Sequence, residues 1–445
     1  MNIDLILKIS SFFPDINLDL KRIYKKFSLS IFDQFLSVFI TFSINILLAR
    51  YDQKENYGYF VLSYSLFTFL LGIYNSLILD AYTVFGSGKF NKSFKTYSLL
   101  MFKKQLYFSV LITAFIFTII SYLTFFTKIK INLSLWGLTF ALSFLFLSQF
   151  IRRTFYIQGN IRKALIVTSI VFITVVLGEI VLLKINLFNG LTAFILLGIG
   201  WLIGTIYFIR KENYSIIKEN FKNIYPTYIR EHWNYSSWII LTAFVFQLTN
   251  QGYYWLASGL LAVDQVGNLK AVQNIISPVD QLFISLSLLT LPLLAKTYIV
   301  NMVKEYNLLL KKILFMSIFM SSLYAVFLWF FGPFIIHLLY KGKYDSVFFI
   351  IYPLSIIPII MGIGNVFNDA LKARQITKSV FIAYVISGIV TLTLGIFFIK
   401  FYGLLGITYG MIASALAYTI TLIISFLKKN TAISLAVEKN EPLHV

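Results

Sequence analysis

The sequence predicts an all-α integral membrane fold: about 12 transmembrane helices in two parallel six-helix repeats around a central cavity. Three observations predict it. Of 445 residues, 58% are hydrophobic and 13% charged, with a mean hydropathy of +0.81; a soluble domain carries about 25% charge. Apolar runs of spanning length recur along the whole chain. The basic residues crowd into alternate loops.

Crossing the hydrocarbon takes about 20 mostly apolar residues per helix, because unpaired backbone groups are too costly in lipid. Runs of that length fall at 29–49, 57–79, 105–126, 131–151, 164–183 and 187–209, and then at 236–258, 266–294, 309–331, 347–368, 379–399 and 403–427. None alternates polar with apolar as barrel strands do. The intervening segments divide the chain into an N-terminal segment (1–28), a six-helix bundle (29–209), a linker (210–235), a second bundle (236–427) and a tail (428–445). No stretch is long enough for a separate soluble domain.

The loop charges orient the spans. With the N-terminus in the cytoplasm, cytoplasmic segments hold 29 Lys/Arg and the opposite side eight, with Lys270 inside a span. The positive-inside rule therefore expects both termini in the cytoplasm. It also accounts for the net charge of +20 as topology, with no nucleic-acid partner. The first 27 residues do not resemble a signal peptide: Asp4 precedes the apolar stretch, Pro14 ends it, and Lys21, Arg22, Lys25 and Lys26 follow. They suit an amphipathic helix on the inner leaflet, as does 210–233 with Ile216, Ile217, Phe221 and Ile224 among charges.

The halves resemble each other. Phe27-Ser28 opens a run to Ala49 as Tyr235-Ser236 opens one to Ala257, Gly58 corresponds to Gly267, and Asn189-Gly190-Leu191 to Tyr402-Gly403-Leu404. With Tyr156-Ile157-Gln158 and Lys163 matching Leu371-Lys372-Ala373 and Lys378, the offsets stay between 208 and 215. A six-span repeat enters the membrane twice from one side, so the halves relate by an axis along the membrane normal, with a cavity where they meet.

Asn45-Ile46-Leu47-Leu48-Ala49-Arg50, then Tyr57-Gly58-Tyr59-Phe60, resembles the opening of bacterial polysaccharide-unit flippases. Gly403-Leu404-Leu405-Gly406-Ile407 is similar to the last span of that family, which belongs to the multidrug/oligosaccharidyl-lipid/polysaccharide exporter superfamily. The resemblance implies a V of two bundles in the bacterial inner membrane. It further implies export of undecaprenyl-diphosphate-linked oligosaccharide for O-antigen, capsule or a related glycan, driven by an H+ or Na+ gradient. Membrane lipids and a glycan polymerase are the partners it suggests.

Polar groups inside spans are costly and tend to face a cavity or a partner helix. In the eighth span Lys270, Gln273, Asn274, Ser277, Asp280 and Gln281 recur at helical spacing, with Pro278 among them favouring a kink. The seventh adds Gln247, Asn250, Gln251 and Tyr254 on one face, beside Trp255. Amides and rings suit sugars, whose hydroxyls need hydrogen-bond partners. The first span carries Asp33, Ser37, Thr41 and Asn45 at four-residue steps, then Arg50; by pseudo-symmetry it is expected to face the seventh. Lys270 and Arg50 are candidates for a diphosphate or acidic sugar. Asp280, Glu179 and Asp33 are candidates for ion coupling, and Asn365, Asn368 and Asp369 complete the set.

Each has a plainer alternative. Lys270 can snorkel to headgroups, Asp33 and Asp369 fall near cytoplasmic ends where a solvated carboxylate is ordinary, and Glu179, five residues from Lys184, fits a surface position. Arg152 and Arg153 fit a topological anchor, and the amides can join helix to helix. With no cysteine and three scattered histidines, no metal site, thiol chemistry or cofactor is expected. The rivals are a multidrug exporter of the same superfamily and a membrane glycan polymerase or glycosyltransferase. An enzyme of that kind needs convergent catalytic groups and a large outer loop, and neither is present in the sequence.

Overall fold

The computed structural model describes residues 20–127, 132–212, 225–299, 303–374 and 376–438. All regular structure among them is helical. The twelve helices are α1 (Leu20–Tyr51), α2 (Lys54–Ser87, with a π-helical turn at Asn75–Leu79), α3 (Phe94–Phe126), α4 (Leu133–Ile157), α5 (Ile161–Lys184) and α6 (Gly190–Glu212), then α7 (Tyr225–Leu260), α8 (Val263–Ile299), α9 (Val303–Tyr340), α10 (Ile351–Ala373), α11 (377–402, with a π turn at Thr391–Gly395) and α12 (404–438). Gly403 separates the last two by taking φ 56°, ψ −128°, a left-handed-side conformation that a side chain would resist. Each expected span corresponds to one helix, and none begins more than four residues ahead of it. Among the described residues, nine stretches are long and apolar enough to cross a membrane, and the last, Thr377–Lys428, holds α11 and most of α12. The interfacial helix expected at the N-terminus and the middle of the linker fall outside the described residues.

The packing repeats. In the first half α4 packs on α6 and α3, α5 on α6, and α1 on α5; in the second α10 packs on α12 and α9, α11 on α12, and α7 on α11. These are the same pairings six helices apart, as the internal sequence match requires. One pair spans the halves on the pseudo-axis, α2 with α8. The corresponding glycines meet there. A Cβ on Gly58 would lie 2.1 Å from the Val263 carbonyl oxygen, and one on Gly267 would lie 2.6 Å from that of Lys54. Small residues let the backbones approach where apolar burial offers no net drive between helices in lipid.

The symmetry is broken at the flanking seams. α2 lies along much of α7, whereas the equivalent contact of α8 with α1 is short. This corrects the expectation that the first span faces the seventh: α1 leans on α5, and α2 is the helix against α7. We call the end with the α1–α2 and α7–α8 turns the turn end, and the end bearing the α6–α7 linker the linker end.

Candidate functional site

At the turn end the halves are joined by a buried polar chain. Asn274 of α8 donates its amide to the Tyr57 hydroxyl (3.0 Å), which donates to Asn45 Oδ1 of α1 (3.2 Å). Tyr57 is fully buried, and its ring is one wall of the Gly58–Gly267 contact. Asn45 and Asn274, both expected in a cavity wall, thus tie helix to helix. From the second half Tyr340 donates to the Ala271 carbonyl (2.8 Å) and Lys343 Nζ to the Ala49 carbonyl (2.8 Å) and that of Asp52. Those carbonyls end α1, where the helix dipole favours a cation. The Lys54 ammonium sits 5.2 Å from the Tyr344 ring centroid. The turn end is closed.

Next to this closure lies the stripe predicted on α8. Lys270 is half-buried, 5.9 Å from the centroid of the Tyr254 ring, and Tyr254 donates to Gln273 Oε1 (2.6 Å). The structure therefore brings Lys270 and Gln273 of α8 together with Tyr254 of α7. Ser277 bonds back to the Asn274 carbonyl. Gln247 packs on Gly72 of α2, and Trp255 donates its indole N–H to Ser65 of α2 (2.8 Å), so this part of α7 is committed to the seam between halves. Asn250 is exposed and Gln251 half-buried. Arg50 lies over Tyr51, and its Nε has no partner.

α8 continues through Pro278 as an unbroken helix. Beyond it, Asp280 and Leu282 are exposed on the part nearer the linker end, as are Phe32, Gln34 and Phe35 of α1 across the same seam. Asp280 is within electrostatic reach of Lys270, without a salt bridge to it, and of the Tyr324 phenol. A charge at this depth is stable only with access to water.

Three acidic groups differ from the solvated state that the sequence suggested. Asp33 is fully buried in the first half: Arg152 pairs with its Oδ2 at 2.9 Å, Tyr156 donates to the same oxygen at 2.8 Å, and Thr168 donates to Oδ1 at 2.6 Å. Arg152 also donates to Ser37 Oγ and Gln34 Oε1, so it is a structural partner rather than a topological anchor alone. Glu179 is 4% exposed and accepts a 2.8 Å hydrogen bond from Ser43 of α1. Asp369 is 4% exposed and accepts hydroxyl bonds from Ser287 and Thr290 of α8. Asn368 is buried with an unpaired Oδ1, and Asn365 is half-buried.

Sequence reasoning missed the partners: Tyr57, Arg152, Thr168, Ser43 and Lys343. The four-residue step of Asp33, Ser37 and Thr41 identified the face of α1, but nothing in the chain announced that α4 supplies its cation. Groups of three or more His, Asp or Glu able to hold a metal are absent among the described residues.

Comparison with solved structures identifies the fold. An inward-facing multidrug resistance transporter of the MATE family, in the MOP superfamily, superposes with a TM-score of 0.75 at 11% identity, covering 90% of this chain and 95% of that one. The lipid II flippase MurJ, in an inward closed conformation, gives 0.70 at 19% identity, covering 89% and 87%. A MOP-superfamily transporter from Pyrococcus furiosus described by a reversed polarity of its binding pocket gives 0.67 at 11%, covering 94% and 96%. No family model and no curated protein matches the sequence. At these identities the likeness is one of fold.

Proposed function

We propose that this chain is a flippase of the bacterial inner membrane that exports undecaprenyl-diphosphate-linked oligosaccharide repeat units for O-antigen, capsule or a related surface glycan. Both termini lie in the cytoplasm, so the linker end faces inward and the closed turn end outward. The halves, over 29–209 and 236–427, rock about the α2–α8 axis in alternating access. The short α1–α8 contact leaves a side seam through which the lipid tail can stay in the bilayer while the headgroup crosses.

The observation that carries this choice of substrate is the balance of unspent polarity around the seam. Asp33 is already neutralised by Arg152, and Glu179 and Asp369 already accept internal hydroxyls. The groups left over include Lys270, Arg50 and, on the seventh helix, the amides of Asn250 and Gln251. Cations and amides suit a diphosphate bearing sugars, whereas a cationic drug needs accessible carboxylates. Along α8 the carboxylate of Asp280 is exposed. It is the main candidate for H+ or Na+ coupling, with Glu179 and Asp33 as inner alternatives. It also favours the second reading, a multidrug exporter of the same fold, because a cation could seat against it. A glycan polymerase is the expected partner of a flippase whose product must be joined into a chain.

The experiment is transport by the purified protein in vesicles, with lipid-linked oligosaccharide in the outer leaflet and a lumenal enzyme that modifies translocated headgroups. Protein-dependent modification is expected, reduced at least tenfold in Lys270→Ala, with loss of ion dependence in Asp280→Asn. Export of cationic dyes with no headgroup translocation would replace this reading with the drug exporter.

A further inference from the structure

The first half contains a chamber of its own, apart from the seam between halves. α1 and α2 are joined by a tight turn, but α1 leans on α5 while α2 leans on α7 and α8, so the two have little contact with each other. The gap between them, backed by α4 and α6, is a cavity of ≈ 250 Å³. That is far above the ~10–15 Å³ that one water requires, and it suits a single sugar ring.

Its lining is specific. Tyr64, Phe67 and Leu71 form one face of α2, while Ser65, Phe69 and Gly72 on another face contact α7, so the chamber and the interface share a wall. Trp201 of α6 is 5% exposed, and its indole N–H finds no protein acceptor. The Gln149 side chain on α4 makes no hydrogen bond to the protein, and the amide NH2 of Gln34 has no acceptor either. These are donors at the edge of a cavity beside two aromatic rings. The one cation in the wall, Arg152, is neutralised by Asp33 at 2.9 Å. An anion would have to compete with that carboxylate and a cation with that guanidinium. A neutral, hydroxyl-rich molecule meets neither obstacle: its hydroxyls can satisfy the amides and the indole, and its apolar ring face can pack on Trp201 or Tyr64.

We infer that this chamber binds one neutral sugar ring, which, in the flippase reading on which the inference rests, belongs to the glycan of the lipid-linked substrate. The diphosphate would remain outside it, nearer the seam. Sugar selectivity would then reside in the first half alone, in Gln34, Gln149 and Trp201.

The absence of cysteine permits a direct test on the full chain. Val38 lines the chamber without a polar role, so Val38→Cys reports access by its rate of maleimide labelling in nanodiscs, with Ser87→Cys, exposed at the end of α2, as the control. Two probes are compared at saturation, undecaprenyl-diphosphate-linked oligosaccharide extracted from the native membrane and bare undecaprenyl diphosphate, with binding of each followed by native mass spectrometry. The glycosylated lipid is expected to slow labelling at Val38→Cys at least fivefold and leave Ser87→Cys unchanged, whereas the bare carrier slows neither. Gln149→Ala and Trp201→Phe are each expected to weaken binding of the glycosylated lipid about fivefold, the loss of one neutral hydrogen bond, with the carrier's affinity intact. Glycosylated lipid that binds without protecting Val38→Cys, or protection by the bare carrier to the same degree, would overturn the chamber assignment and leave the flippase reading standing. Binding of neither lipid would overturn both.

Discussion

At the scale of single residues, the strongest commitments are buried charges. Asp33 is fully buried and Arg152 has an 11% exposed side chain. Removing one member of such a pair leaves the other uncompensated, typically at 3–5 kcal/mol. Arg152→Met is therefore expected to lower stability by about 4 kcal/mol in a fluorescence melt in detergent, and Asp33→Asn combined with it to recover much of the loss. Equal instability of the single and double variants would mean that packing, not charge, sets the cost. His232 provides the pH counterpart. It precedes the span expected over 236–258, is 7% exposed, and contacts the Tyr97 hydroxyl of α3 through Nε2 at 2.7 Å. Burial pushes its imidazole down to about 4, against about 6.5 unfolded. The unfolded chain therefore takes up the proton first. The resulting stability, roughly 3 kcal/mol, is complete above about pH 6.5 and is lost as pH falls towards 4. Melting temperature plotted against pH is expected to drop across that window in the native protein and to be flatter in His232→Gln.

At the scale of elements, glycine and π turns decide how closely the halves meet. Gly58 and Gly267 let α2 and α8 touch backbone to backbone, so Gly58→Ala is expected to part the helices and weaken closure of the turn end. Ala271→Cys, at a fully buried position beside this contact, would label severalfold faster in the Gly58→Ala background. No change in rate would mean that the contact is not what holds the end shut. The π turn at Asn75–Leu79 interrupts the α-helical ladder of α2, and the Leu77 carbonyl within it accepts from Ser236 of α7 at 3.0 Å. Hydropathy placed a span at 57–79, yet no hydropathy pattern signals an i→i+5 bond. That turn lies at the seam, where α2 follows α7.

For the whole molecule, the decisive asymmetry is the closed turn end. Lys341 and Gly342 take positive φ (53° and 81°), which turns the chain back so that Lys343 can reach the α1 C-terminus of the other half. The proposed flippase cycle requires this tie to break. Lys343→Gln, which weakens the charge at the α1 dipole, is expected to populate a state open at the turn end. Ala49→Cys, buried in the closed form, would then label faster from the turn-end side, with Lys343→Arg intermediate. Unchanged labelling would remove Lys343 from the closure.

The sequence by itself determined twelve membrane helices, their half-to-half repeat and the polar faces of α1, α7 and α8. Hydrophobic length and helical period are local properties, and a repeat is visible by comparing the chain with itself. Tertiary structure alone decided what those faces meet. Asp33 found Arg152, Glu179 found Ser43, and Asn45 and Asn274 converged on Tyr57. The stripe on α1 turned inward to a chamber because α1 leans on α5 rather than α7. The reason is physical: a polar group in lipid must find a partner or water, and the identity of that partner depends on which helix the fold brings within about 3 Å, a distance that the spacing of residues along one helix does not encode.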